Sequence, residues 1–453
     1  MWAALTLAGI LAIHGALFWL SHQPSPRLPF GDEVMYLRKA TLMADGGPWT
    51  PARFWPLFHA RFLAVILALG GGTLAIEIAQ TAMLVLAALL VALLAGQLTG
   101  SRTAAWVAGA LTLLDPQVGA FAHYYWPEIH HLLLFFGAWL ILLRWPDRWG
   151  WLAAAGVLLA LALLTKNHMS FFIPVLLLPL ASGRGQPAPA RLARAPLRVR
   201  AARVTVVVAA LATTMIAANT LPRRPLAPHE QFVNCALFNI WVGLNDSARR
   251  DFVDEVVPGA MLAYQQSANS QQERNRILWR KIKHHVAERG MSGTLAAQIG
   301  RQFFRLFDKD SFMTDQLPGG RIVISRNKGY VQASPVLGRV LRDWSYLIYT
   351  AVLIAAAFGI AVLPPERRRW LWVVAAFFAY NLALFSIVHV KSRYRVQMMP
   401  MFYVYAGGAV AWARCRFGPT LAAGSPWRQP VTAWRWMLGA LGAALWVYLA
   451  WGR

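Results

Sequence analysis

The motif "GDE" at residues 31–33 sets two carboxylates, Asp32 and Glu33, side by side in a chain with 44 Lys+Arg and only 19 Asp+Glu. A carboxylate beside an apolar surface is a good base for a hydroxyl, because loss of water raises its pKa toward neutrality. Adjacent carboxylates also repel, so one of the two is expected to titrate high. A plainer role exists. Asp32 caps a short helix that begins at Glu33 and is stopped by Gly46-Gly47-Pro48. Capping accounts for one acid and leaves the pair unexplained.

Cations gather elsewhere. His389, Lys391, Arg393 and Arg395 alternate in "HVKSRYR", just before an apolar run. Long basic side chains at a helix end commonly snorkel outward. Four such groups on one short stretch also suit an anion, and Arg meets a phosphate bidentately. Lys166 lies in "LLTKNHMSFF", either a polar turn between helices or a further phosphate ligand. The stretch "HYYWPEIHH" opens with Tyr124, Tyr125 and Trp126, which read as an aromatic belt at a membrane boundary. Pro127 then starts a helix and Glu128 is its first-turn acid. A metal set of His123, Glu128, His130 and His131 ranks below a substrate contact by Glu128, since no zinc-type spacing is present.

These groups are separated by long apolar runs, so membrane helices must position them. The 453 residues are 57% hydrophobic with 21 Trp, and the mean hydropathy is +0.44. Candidate spans fall near 3–20, 74–98, 103–121, 129–144, 149–165, 168–182, 204–221, 344–363, 370–388, 396–414 and 432–450. The expected fold is therefore all-α and polytopic, with about eleven crossings. Residues 54–70 read as an interfacial or re-entrant helix, interrupted by the glycines at 70–72. The first span is read as retained, because no basic segment precedes it and no cleavage site follows.

The net charge of +25 does not indicate nucleic acid, because the arginines cluster in short loops between spans. Loops 183–203, 364–370 and 413–418 are basic and are assigned to the cytoplasm. Alternation then places 21–73, 122–128, 166–167, 222–343 and 389–395 together on the opposite side. Cys235 and Cys415 fall on different sides and are not expected to pair. Segments 1–221, 222–343 and 344–453 read as an N-terminal module, an extracytoplasmic segment and a C-terminal module. Within the middle segment, 273–290 and 293–307 have apolar residues at helical spacing among basic ones, as in helices lying on a membrane.

In chain order, "GDE", the "YYWPE" turn, "LLTK" and "RYRVQMMPMFYVYAG" resemble motifs of polytopic GT-C glycosyltransferases that use polyprenyl-phosphate-linked sugars. The nearest groups are bacterial relatives of protein O-mannosyltransferases and of the lipid A aminoarabinose transferase. The resemblance implies catalytic roles for Asp32 and Glu33. It implies donor-phosphate contacts for Lys166, Arg393, Arg395, His389 and Lys391. Sugar or acceptor contacts would fall to Glu128, Tyr125, His168 and Tyr394. It further implies an inverting transfer to a lipid, glycan or protein hydroxyl, at a site facing the periplasm from a bacterial inner membrane. No cofactor is assigned, and a divalent metal ranks well below none. A flippase for a lipid-linked sugar and a polysaccharide polymerase or ligase with a diphosphate-linked donor are the other classes. The sequence has no inverted repeat of the kind common in transporters.

Overall fold

A computed structural model describes residues 2–23, 25–47, 56–182, 196–220, 236–245, 271–418, 426–428 and 430–452. Among these residues no strand forms, and one isolated bridge joins Leu28 to Gly329. The N-terminal helices are α1 (Trp2–His22), α2 (Asp32–Ala44), α3 (Phe58–Ala68), α4 (Thr73–Thr99), α5 (Arg102–Leu114), α6 (Pro116–Gly119), α7 (Glu128–Arg144), α8 (Trp149–Thr165), α9 (Ile173–Ser182) and α10 (Leu197–Thr220). Next come α11 (Ala236–Asn245), α12 (Gln271–Arg289), α13 (Met291–Phe307), α14 (Phe312–Gln316) and α15 (Arg321–Arg326). The chain closes with α16 (Pro335–Ala361), α17 (Leu371–Ile387), α18 (Met399–Phe417) and α19 (Ala433–Trp451). Cys415 is buried, whereas Cys235 and Pro48 lie outside the described residues.

The chain is a multi-pass membrane protein. Among the described residues, five stretches are long and apolar enough to cross a bilayer: Ala3–His22, Thr73–Thr99, Leu197–Ala218, Pro335–Ala361 and Pro365–Ile387. The expected eleven crossings are not all single long helices. The span drawn at 103–121 breaks after Leu114, where Asp115 and Pro116 end α5 and cap α6. The span drawn at 168–182 opens as a 3₁₀ turn over Asn167–Phe172 before α9. Such breaks are tolerated where neighbouring helices shield the freed backbone groups. Helix α3 stands where a short interfacial helix was expected and stops before Gly70.

Two helices form the centre. Between Glu128 and Leu143 every residue of α7 except Leu133 is buried, and α7 packs on α4 and α8. The first ten residues of α18, Met399–Gly408, are buried against α5, α16 and α4. Small residues set this approach. A methyl group on Gly359 of α16 would overlap the Tyr405 carbonyl oxygen, and one on Gly407 would overlap that of Ala104. Close backbone contact of this kind is a main source of cohesion between membrane helices.

Helix α13 is inverted. Its buried stripe is polar over most of its length, with Thr294, Gln298, Gln302 and Arg305, and turns apolar only at its end, with Leu306 and Phe307. Met291, Leu295 and Ile299 stand exposed on the other face. A helix with its apolar side outward suits lipid as its outer solvent, as the sequence pattern anticipated.

Replacing Gly359 with Leu is expected to part α16 from α18. Overpacking of a tight contact costs about 1–3 kcal/mol. A clear fall in the thermal unfolding midpoint of the detergent-solubilised protein is the expected result, with Gly15→Leu, where a methyl meets open space, as the comparison.

Candidate functional site

Asp32 opens α2. The N-cap is Gly31, so the helix begins one residue earlier than expected and Asp32 is not the cap. Its carboxylate is free to point away from the helix, and it accepts a hydrogen bond from Nη2 of Arg393, 361 residues later. Arg393 lies in a 3₁₀ turn, Ser392–Gln397, that leads into α18. Its Nε is also 3.9 Å from Oε1 of Glu128. That same oxygen accepts from Nζ of Lys166 at 3.1 Å. Asp32, Arg393, Glu128 and Lys166 thus form a row of alternating charge drawn from four separate segments.

Burial makes the alternation necessary. Side-chain exposure is 22% for Asp32, 10% for Arg393, 1% for Glu128 and 18% for Lys166. Unpaired charges so placed would be costly, and opposite neighbours offset that cost. Aromatic rings complete the lining. The Arg393 guanidinium lies 4.7 Å above the Trp126 ring and 5.4 Å from Tyr394, and Lys166 Nζ is 4.7 Å from Tyr394. Tyr394 itself stacks on Phe385. Hydrogen-bonding capacity remains open here. Glu128 Oε2, Arg393 Nε and Trp126 Nε1 are buried with no hydrogen-bond partner among the described residues.

The titration of Asp32 runs opposite to the sequence argument. Burial pushes its carboxyl up, but Arg393, then Lys391 and Lys166, outweigh burial and hold it below the usual carboxylate range. The adjacent acid does not raise it, because Glu33 turns elsewhere. Burial pushes the Lys166 ammonium down, against the pull of Glu128. Burial also pushes Lys39, on α2, down to about 8, with Asp32 opposing.

Glu33 is completely buried and saturated. It accepts from both terminal nitrogens of Arg27, at 2.9 and 2.5 Å, from Phe30 N at 3.0 Å and from Tyr125 N at 3.1 Å. Arg27 also donates to Gln316 at 2.8 Å and lies 4.5 Å above the Tyr124 ring. Glu33 therefore locks the loop before α2 onto the turn before α7, and offers no free oxygen to a substrate. Tyr124, Tyr125 and Trp126 are buried in that lock. Arg27 lies over the Tyr124 ring and Arg393 over that of Trp126, and the three buried side chains are not an aromatic belt.

Arg395 also departs from expectation. It is turned away from the row, donating to the Asp308 carbonyl and to Gln117 Oε1 beneath the Tyr349 ring. Spacing explains the split. Two residues along a tight helical turn point different ways, so Arg393 and Arg395 cannot share one anion. Lys391 begins the turn and acts on Asp32 through its charge. His389 is buried in the loop above it. That loop is hung from the middle segment. His389 N donates to the Asn239 carbonyl, and Val390 N donates to Gln302 Oε1 on α13 at 3.1 Å. Gln302 in turn donates to Gln298, which donates to the Gly243 carbonyl.

Tyr125 contributes its backbone to the Glu33 lock. His168 follows Lys166 and rests against His131, with ring centroids 4.7 Å apart. The four residues weighed as metal ligands do not converge. His123 pairs with Glu77, Glu128 with Lys166 and His131 with Gln397, while His130 sits against His59.

With this geometry in view, comparison with known proteins finds a family match over part of the chain. Residues 73–182 match the family model described as dolichyl-phosphate-mannose-protein mannosyltransferase. The GT-C resemblance holds. The matched stretch carries Glu128 and Lys166 together with α4, α7 and α8, which set them in place. Among solved structures, the chain is similar to ArnT from Cupriavidus metallidurans, a crystal structure bound to undecaprenyl phosphate. The identity is 14%, the TM-score 0.39, and the alignment covers 99% of this chain and 89% of that one. No curated protein matches.

Arg27 and Trp126 are the site-forming residues that sequence reading missed in these roles. Arg27 stands six residues before Glu33, and the only sequence trace of the lock is an opposite charge near an acid.

Removing the Glu33 charge leaves Arg27 buried and unpaired, which costs on the order of 3–5 kcal/mol. Glu33→Gln is expected to lower the unfolding midpoint strongly, and Asp32→Asn to lower it less, because Arg393 keeps Glu128 nearby. Thermal unfolding of the two variants side by side checks this.

Proposed function

We propose that this chain is a membrane glycosyltransferase that moves a sugar from a polyprenyl phosphate to an acceptor hydroxyl, with Asp32 as general base. One observation carries the reading: a half-exposed carboxylate faces two cations within a buried row of alternating charge. The family match of residues 73–182 supports the sugar chemistry.

The site chemistry follows from charge. The donor is a phosphodiester carrying one negative charge. The acceptor oxygen attacks the anomeric carbon, the bond from that carbon to the phosphate oxygen breaks, and its electron pair stays on phosphate. Arg393 and Lys166, with Lys391 nearby, stabilise the extra negative charge that develops. A phosphate leaving group of this kind needs no proton, so one base on the acceptor side is enough. Asp32 takes the hydroxyl proton, and attack from the opposite face inverts the anomeric centre. Arg393 links the two events. Before the donor arrives it neutralises Asp32, and a phosphate that draws Arg393 away leaves Asp32 a stronger base as the electrophile comes into place. The acceptor is a hydroxyl of a lipid, glycan or protein; the charge bias of the short loops supports a site on the extracytoplasmic side, which on this reading is the periplasmic face of a bacterial inner membrane.

Asp32→Asn is expected to lower transfer at least about a hundredfold, within the range for loss of a general base, while donor binding persists. Unchanged turnover in that variant removes Asp32 from the role. Lys391→Gln tests the electrostatics. Lys391 helps hold Asp32 in its charged form, so its loss lets the carboxyl rise. The acid limb of the rate against pH is expected to move to higher pH, and an unmoved or lowered limb contradicts the assignment. Supplying monophosphate- and diphosphate-linked sugars in parallel separates this reading from a polymerase or ligase, and formation of a new glycosidic bond separates it from a flippase.

A further inference from the structure

The charged row has a neutral layer beneath it. Glu128 opens α7, and His131 follows three residues on, one turn further along the same face. Lys166 is the C-cap of α8, and His168 follows in the 3₁₀ turn that runs into α9. Arg393 lies in the turn before α18, and Gln397 closes that turn. Each of three elements thus gives one charged group at the row and one uncharged polar group further into the bundle. The neutral groups meet. His131 Nδ1 and Gln397 Oε1 are 2.7 Å apart, and the His131 and His168 rings are neighbours at 4.7 Å.

This layer is left unsatisfied. His131 has no exposed surface and Gln397 is 1% exposed. Yet His131 Nε2, Gln397 Nε2 and both ring nitrogens of His168 are buried with no hydrogen-bond partner among the described residues. Buried polar atoms without partners are uncommon, and each asks for a ligand or water. Their chemistry is specific. An amide oxygen only accepts, so His131 Nδ1 carries the hydrogen, leaving Nε2 as an acceptor and the Gln397 amide nitrogen as a donor. Turning the amide over exchanges these roles and still leaves one donor and one acceptor. A neutral His168 likewise offers one of each. A phosphate, which only accepts, fits poorly. A hydroxyl, which donates and accepts, fits each pair, and two hydroxyls fit the layer.

We infer that His131, His168 and Gln397 form a subsite for sugar hydroxyls, next to the phosphate-binding row, that distinguishes a sugar-charged polyprenyl phosphate from the bare carrier. This rests on the donor assigned under Proposed function. The Lys166–Glu128 pair is the part of the row nearest this layer along the chain, with His131 three residues past Glu128 and His168 two past Lys166. When phosphate draws Lys166, Glu128 Oε2 joins the subsite as a further acceptor.

The test uses the full-length protein in lipid nanodiscs. Binding is measured for bare polyprenyl phosphate and for the same lipid carrying mannose, glucose or 4-amino-arabinose. The unmodified protein is expected to prefer at least one charged lipid. Gln397→Leu and His131→Phe are expected to weaken that lipid roughly tenfold, the scale of a lost hydrogen bond to a hydroxyl, and to change bare-carrier binding by less than about twofold. A variant that weakens both lipids equally, or neither, overturns the subsite, as does an unmodified protein with no preference across the panel. Should the two fully buried changes lower the unfolding midpoint, His168→Leu, at a half-exposed position, decides by the same criterion. Failure of the unmodified protein to bind bare polyprenyl phosphate is a different result, because it sinks the donor reading itself.

Discussion

Arg393 is held between two carboxylates in a place where charge cannot be left alone. The guanidinium pairs with Asp32, approaches Glu128 and lies over Trp126. Because a membrane interior penalises every unpaired ion, the positions of Asp32, Glu128 and Lys166 all follow from that one side chain and from the alternation it starts. The row is also not closed. Glu128 Oε2 and Arg393 Nε keep unused capacity, so an anion can exchange for internal partners without exposing bare charge.

Two kinds of support keep the row in register. Below Asp32, the buried Arg27–Glu33 pair ties the loop before α2 to the turn before α7. Above Arg393, the main chain of 389–390 hangs from α11 and from Gln302 of α13. Helix α13 presents its apolar stripe outward. The loop with the cations is thereby fastened to an element suited to lipid, a reasonable arrangement for a site whose substrate carries a membrane tail. The two acids of "GDE" have divided their work. Glu33 spends its hydrogen-bonding capacity on the scaffold, which frees Asp32 to face the substrate side.

Much was legible beforehand, for physical reasons. Long uncharged runs identify membrane helices, since lipid admits few other folds. The Lys and Arg bias of the short loops put Asp32, Glu128, Lys166 and Arg393 on a common side before any coordinates, and the structure brings these four together. Where reading failed, the cause was direction. Arg395 and Arg393 look equivalent in "RYR", yet a helical turn sends them to different partners. Tyr124–Trp126 have the composition of an interface belt, but all three are buried, with Arg27 over Tyr124 and Arg393 over Trp126. Asp32 is held low instead of high because the cations face it.

The sequence by itself determined the solvent and the helical class, and set the expectation that the polar motifs share one side, because hydropathy and charge are properties of residues and act locally. Only the tertiary structure decided which acid meets Arg393, which arginine is withdrawn into the scaffold, and that His131, His168 and Gln397 share a second layer. Those outcomes depend on side-chain direction and on contacts between segments hundreds of residues apart, and no local property of the chain encodes them.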